Sequence, residues 1–231
     1  DGLGMFINED LFRSAGKEPP TTWDELRKTA NELTTPARRT RGEIQIAGVA
    51  LGRTENVDHW SDILAIMMLQ NGADLSKPVG QLAEDALTYF TLFSQSDLVW
   101  DENLPSSTQY FASGKLAIYF GPSWEAFNIK QANPQLKFKI LPIPQLGDTN
   151  ITWASYWVEG VNKKSVNQDA AWKFLKYLSQ KDTMQKLYKI QSDTRLFGEP
   201  YSRVDLGNLI KDAILLFQPQ TLCLARDSDI R

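Results

Sequence analysis

The stretch KLAIYFGPSWEAF, residues 115–127, reads as an apolar strand that stops at a glycine and restarts as a helix. Gly121 lets the backbone turn tightly, and Pro122 suits a first helical position, where its missing N–H would have had no partner. A strand, a turn and a helix in that order predict an α/β architecture. They also gather the free N–H groups of the new helix, the Ser123 hydroxyl and the Trp124 indole where the strand ends. Trp124 then has two readings: a ring closing the core beneath its own helix, or a plate on which a sugar ring packs while nearby donors take its hydroxyls. The residues alone leave both open.

Upstream, GLGMFINEDLF predicts a strand followed by a short helix. TTWDELRKTANEL predicts a helix opened by a capping box, Thr22 with Glu25, that places Leu26, Ala30 and Leu33 on one face. IAGVALG (46–52) is a short apolar strand, and HWSDILAIMMLQ (about 59–70) is a largely apolar helix closed by Asn71-Gly72. A helix over about 81–95 carries a stripe of Leu82, Ala86, Tyr89, Phe90 and Phe93, and another runs from near Pro105-Ser106 to Gly114. Downstream, the prolines of KFKILPIP (137–144) confine it to an edge or an exit. WASYWVEGVN (153–162) alternates like a strand, with Trp153, Ser155 and Trp157 on one side and Ala154, Tyr156 and Val158 on the other. Helices follow over 169–179, capped by Asn167, and near 182–191, then a helix-like run from 208 and a tail without a clear period.

Composition narrows the function. The chain has 231 residues, 42% of them hydrophobic and 23% charged, enough for a real core. A net charge of −3, with basic residues scattered rather than striped, gives no footprint for a nucleic-acid backbone. One cysteine, Cys223, excludes an internal disulfide framework, and with a single histidine, His59, it leaves no cluster at zinc spacing. No apolar run reaches the roughly 18 residues that a membrane span needs. Neither a metal nor a cofactor is expected. GxSxG, HExxH, GxxxxGK[ST] and GxGxxG are all lacking, which weakens triad, zinc-protease and nucleotide chemistries.

The aromatic content, 7 Trp, 7 Tyr and 11 Phe, is the strongest compositional signal. Trp23, opening a capped helix, and Trp172, among Ala171, Phe174 and Leu175, read as core. Trp60, Trp124, Trp153 and Trp157 instead lie where elements begin, among polar residues. TENVDHW (54–60) places Asn56, Asp58, His59 and Trp60 in one loop-to-helix passage, where Asn56 and Asp58 serve equally as helix caps or as cleft residues. Of the 153–157 segment, Trp153, Ser155 and Tyr156 are the cleft candidates. Glu55 with Asp58, Asp101 with Glu102, Glu125 and Glu159 offer carboxylate pairs for a glycosidase, as in any acidic protein. No catalytic residue is assigned.

Several segments together carry a resemblance. FINEDLFRSAGKEPPTTWDELRKTANELT, GVALG, the aromatic helix ending NGADL, FASGKLAIYFGPSWEAF, LPIPQ and WVEGVNKKSVNQDAAWKFLKYLS resemble, in that order, the extracellular solute-binding proteins of ABC importers, the family that includes maltose-binding and other sugar-binding proteins. The resemblance covers about residues 5–200. It implies a periplasmic-binding-protein-like fold of two α/β lobes, a ligand held between them, and closure that lets a membrane permease accept the loaded form. It implies a monomer outside the cytoplasm, in the periplasm or anchored as a lipoprotein, that binds a sugar or oligosaccharide without transforming it. Trp124 takes the stacking role, one position later than in the maltose-binding pattern, where Ser123 now stands. The loop near 55–60 and the strand near 153–157 face the cleft in relatives, and Tyr201 and Arg203 lie near a return crossing.

Relatives have a βα half-lobe before DGLGMFINEDLF and further helices after the tail. The expectation is therefore a truncated product: 1–147 most of the second lobe, 148–200 a returning segment of the first, and 201–231 an incomplete return. Half a binding site predicts weak binding. The competing expectations are a carbohydrate-active enzyme on a similar aromatic cleft and a docking module without a ligand.

Overall fold

Leu3–Asn8 (β1) is apolar up to its last residue, and all six of its residues are buried, as befits a strand covered on both faces. In the computed structural model, which describes residues 2–37, 39–155 and 157–209, β1 is an inner strand of a four-stranded sheet. The sheet order is Ala47–Val49 (β2), Leu116–Pro122 (β3), β1 and Phe138–Leu141 (β4). β3 runs parallel to β2 and antiparallel to β1, and β4 is antiparallel to β1 on the far edge, where the prolines of KFKILPIP placed it. Leu3 pairs with Pro122, and Met5 with Leu141. The carboxyl ends of β2, β3 and β4 and the amino end of β1 therefore share one end of the sheet.

Helices cover the sheet as the local signals direct. Asn8 ends β1 and accepts the N–H groups of Asp10 and Leu11, opening Glu9–Ala15 (α1). The capping box is formed at Trp23–Leu33 (α2): Glu25 N–H donates to the Thr22 hydroxyl, and the Glu25 carboxylate accepts from Thr22 N–H. Leu26, Ala30 and Leu33 face inward, and Trp23 is core as expected. α2 meets β2 at Gly48, whose N–H donates to the Thr34 hydroxyl at 2.9 Å while that hydroxyl donates to the Ala30 carbonyl at 2.6 Å. Trp60–Gln70 (α3), Gln81–Gln95 (α4), Ser107–Ala112 (α5) and Glu125–Ala132 (α6) complete this layer.

Two local expectations shift. The buried stripe of α4 is Ala83, Ala86, Phe90 and Phe93, so Leu82 is exposed, because the helix rolls its small residues toward the core. Pro122 ends β3 rather than opening α6, which starts at Glu125. A proline at the close of a strand takes few hydrogen bonds from the ladder.

The chain divides into two compact units, Gly2–Ala154 and a second beginning at Ser155. The expected strand over 153–162 reduces to one bridge, Gly2 with Ala154, next to a 2.9 Å bond from Leu3 N–H to the Trp153 carbonyl. Alternation makes a strand only where a neighbour supplies a ladder, and among the described residues none pairs beyond Ala154. Trp157 accordingly stands fully exposed.

The second unit holds Gln168–Leu178 (α7), Lys181–Ser192 (α8) and a 3₁₀ turn at Val204–Leu209, with Phe197 and Leu206 buried. No residue of α7 or α8 is buried, and Trp172, expected in the core, is exposed, since nothing among the described residues covers its face. Asn167 occupies the cap position of α7 without a side-chain capping bond. Most of the helix-like run from 208, and Cys223 and Tyr156, lie outside the described residues. Among the described residues no helix is long and apolar enough to cross a membrane.

Candidate functional site

Three tryptophans converge on the first turn of α3, at the shared end of the sheet. Trp60 opens that helix. Trp153, beside β1, donates its indole N–H to the Asp62 carboxylate at 2.9 Å. Trp124, between β3 and α6, packs edge-on against His59, with ring centroids 5.9 Å apart and planes at 81°. The carboxyl ends of strands and the amino ends of the helices that follow are where open α/β sheets place ligands. Trp124 is 43% exposed and Trp60 37%, whereas the same unit buries Trp23 and Trp100 to 4% and 0%. Trp124 therefore does not close the core.

Beneath Trp124 lies a buried polar chain. Glu125, 6% exposed, has one carboxylate oxygen 3.2 Å from His59 Nε2 and accepts from Asn128 Nδ2 at 3.0 Å on the other. Burial, and next the charge of Glu125, push the Tyr119 hydroxyl well above its ordinary pKa. The Thr108 hydroxyl lies 3.0 Å from the Tyr119 hydroxyl and 2.7 Å from the Asp58 carboxylate. A Cβ at Gly121 would come within 2.6 Å of the Tyr119 hydroxyl, so only glycine fits beside that ring. Ser123 is buried as well.

Asp58 caps a helix, but not its own. Its carboxylate accepts from Thr108 N–H at 2.9 Å and from the Ser107 and Thr108 hydroxyls, closing the amino end of α5. Burial alone would raise its pKa, but these hydrogen bonds outweigh it and hold the group below the ordinary carboxylate value. A depressed folded-state pKa adds stability that is complete above the unfolded value and is lost as pH falls through the folded one. Asp58→Ala is thus expected to cost about 1–2 kcal/mol at pH 7, a gap that shrinks below about pH 4. Urea denaturation at pH 7 and pH 3 reads it, and an unchanged gap would count against the capping role.

Asn56 is also engaged within the protein: its Nδ2 donates to the carbonyls of Asp101 and Leu104, and its Oδ1 accepts from the buried Trp100 indole. Asn56 and Asp58 together stitch the loop entering α3 to the loop entering α5. The remaining candidates belong to the second unit. Ser155 is exposed, Tyr201 stacks at 5.0 Å on Tyr188, and Arg203 pairs with Asp205 at 2.9 Å and donates to the Ser179 carbonyl. An open groove of about 320 Å³ in that unit, between 159–161 and α7, is lined by Phe174, Leu175 and Leu178, the uncovered apolar side of an amphipathic helix.

Apart from Glu159, which lines the groove of the second unit, the carboxylates offered for a glycosidase pair are engaged within the protein. Asp101 accepts the N–H groups of Gly42 and Asn103, and Glu102 pairs with Arg41 and Arg53. Glu55 pairs with Arg53, and Glu125 faces His59. His59 and Asp62 were not among the site residues expected from sequence. His59 and Glu125 are 66 residues apart, a separation no local pattern reports; the lone histidine beside a tryptophan was the available hint.

The sequence profile of the bacterial extracellular solute-binding protein family matches residues 1–195. The chain belongs to this family. Among solute-binding relatives, a binding protein of Brucella abortus is 28% identical over 197 residues, covering 77% of this chain and 44% of its own length. The multiple sugar-binding protein of Streptococcus mutans is 23% identical over 202 residues, 81% of this chain and 47% of its own length. The chain thus spans about half the length of the curated relatives it matches. An ABC transporter solute-binding protein of Thermotoga lettingae, solved with α-D-tagatose, superimposes with a TM-score of 0.64 at 21% identity, covering 91% of this chain and 55% of that one. That likeness shows the fold: the expected α/β binding-protein architecture is shared over about half of the larger structure.

Proposed function

We propose that this chain is part of the substrate-binding component of an ABC importer, holding a sugar or oligosaccharide without transforming it and delivering it to a membrane permease from outside the cytoplasm. The observation that carries the reading is the exposure of Trp60 and Trp124 at the strand ends of a unit that buries Trp23 and Trp100. A half-exposed indole is a flat apolar surface for the C–H face of a sugar ring, with polar groups beside it for the hydroxyls. Trp153 belongs to the same surface. Asn56, Asp58 and Ser123 are its proposed polar neighbours, and Ser155, Tyr156, Tyr201 and Arg203 are further proposed ligand contacts. Membership in a solute-binding family, with relatives whose names or bound molecules are sugars, supports the ligand class.

Titration of intrinsic tryptophan fluorescence with mono- and oligosaccharides tests it. A saturable shift is expected with at least one neutral saccharide. A folded protein giving no saturable response to any saccharide would overturn the reading.

A further inference from the structure

His59 adopts φ 59° and ψ 20°, the left-handed region, at the amino end of α3. A residue with a Cβ enters that region at a cost, and where a turn alone is needed glycine or asparagine meets it more cheaply. The side chain does not cap the helix. What the conformation achieves is aim: the imidazole meets the Glu125 carboxylate at 3.2 Å and the Trp124 indole edge-on at 5.9 Å. Backbone strain kept at such a place points to a function for the side chain.

We propose that His59 is a positioning residue for Trp124: its imidazole, pinned by the buried carboxylate of Glu125, props the indole and fixes the plane on which a sugar ring stacks. This rests on the reading of Trp124 as the stacking surface. Glu125 is itself held by Asn128 from the same helix, so the prop is anchored in the core rather than in solvent. Trp124 stands at the helix start, 43% exposed, with the edge of His59 against its ring. A plate fixed before the ligand arrives loses less freedom on binding.

The charged and titratable groups around the imidazole are few. Glu125 faces it from α6, with Tyr119 of β3 behind. Asp58, in the same loop, is occupied by α5, and Asp62, one turn along α3, holds Trp153. The imidazole edge lies against the indole, so the Trp124 indole resonance reports its presence in the absence of any ligand.

The test uses the full chain labelled with ¹⁵N-tryptophan, the Trp124 indole N–H being assigned by its loss in Trp124→Phe. At a single pH this resonance is expected to move and broaden in His59→Gly, which keeps the left-handed backbone and removes the ring, and to return toward its wild-type position in His59→Gln, which restores a side chain that reaches Glu125. In the saccharide titration His59→Gly should bind about three- to tenfold more weakly, and His59→Gln should recover most of the loss. An indole resonance unmoved by His59→Gly overturns the proposal, as does undiminished binding by His59→Gly. If His59→Gly does not fold, His59→Asn, which suits the left-handed backbone and removes the imidazole, decides the same question. An indole resonance moved by the loss of the imidazole while no saccharide binds the wild type would uphold the His59 contact and remove the sugar-binding reading instead.

Discussion

Gly48→Ala is expected to disrupt the first unit more than any other single methyl addition. A Cβ built on Gly48 falls 1.9 Å from the Ala30 carbonyl oxygen and 2.5 Å from the Ala30 Cα, and both are backbone atoms that no rotamer change can move. α2 would have to lift from β2, breaking the bond from Gly48 N–H to the Thr34 hydroxyl and unpacking the inner face that buries Leu26, Ala30 and Leu33. Overpacking against flexible side chains costs about 1–3 kcal/mol, so a backbone clash should exceed about 3 kcal/mol. For a chain of this size that lowers the melting temperature by roughly 6–12 °C. Near-UV circular dichroism of the buried tryptophans follows this unit rather than α7 and α8, and a melting point within about 2 °C of wild type would refute the close approach.

Trp124→Ala has the largest expected effect on binding and a small one on the fold. Removing a central aromatic contact from a binding surface costs about 2 kcal/mol or more, roughly thirtyfold in affinity. Where the starting affinity is weak, the saccharide-dependent fluorescence change should vanish from the accessible range. Stability should fall by no more than about 1–2 kcal/mol, since the indole is half exposed and its ring contact is the edge of His59. Trp172→Ala is the matched control: Trp172 is 56% exposed on α7 in the second unit, and its loss should leave the saccharide response intact. Equal loss from the two variants would mean that sugars meet exposed indoles without a site.

What could be seen in the sequence was what local chemistry decides. The Thr22–Glu25 box, the Asn71-Gly72 stop and the buried run of β1 depend on neighbours within a few residues, and each stands in the structure where the pattern placed it; Gly121, read as the exit of β3, instead lies inside that strand, paired with Gly4. The stripe of α4 was off by one position because burial is set by which side the helix turns to the sheet. WASYWVEGVN and Trp172 misled for one shared reason: alternation and amphipathicity describe what a segment is able to bury, whereas burial needs a surface to bury it against. At the site, the tryptophans were legible by type and by position at element starts. The contact between His59 and Glu125 and the reach of Asp58 to α5 were not, since each joins residues about fifty or more positions apart.

The strand order has a consequence for how the chain is made. β1 emerges before both of its partners, since β3 ends at Pro122 and β4 begins only at Phe138. At about 5–20 residues per second, the ribosome leaves Met5, Phe6 and Ile7 without a ladder for on the order of ten seconds. Throughout that interval an apolar strand with both edges open is a template for pairing with another chain. A factor that holds nascent or unfolded chains would thus act chiefly on residues 3–8, and its release should coincide with completion of β3.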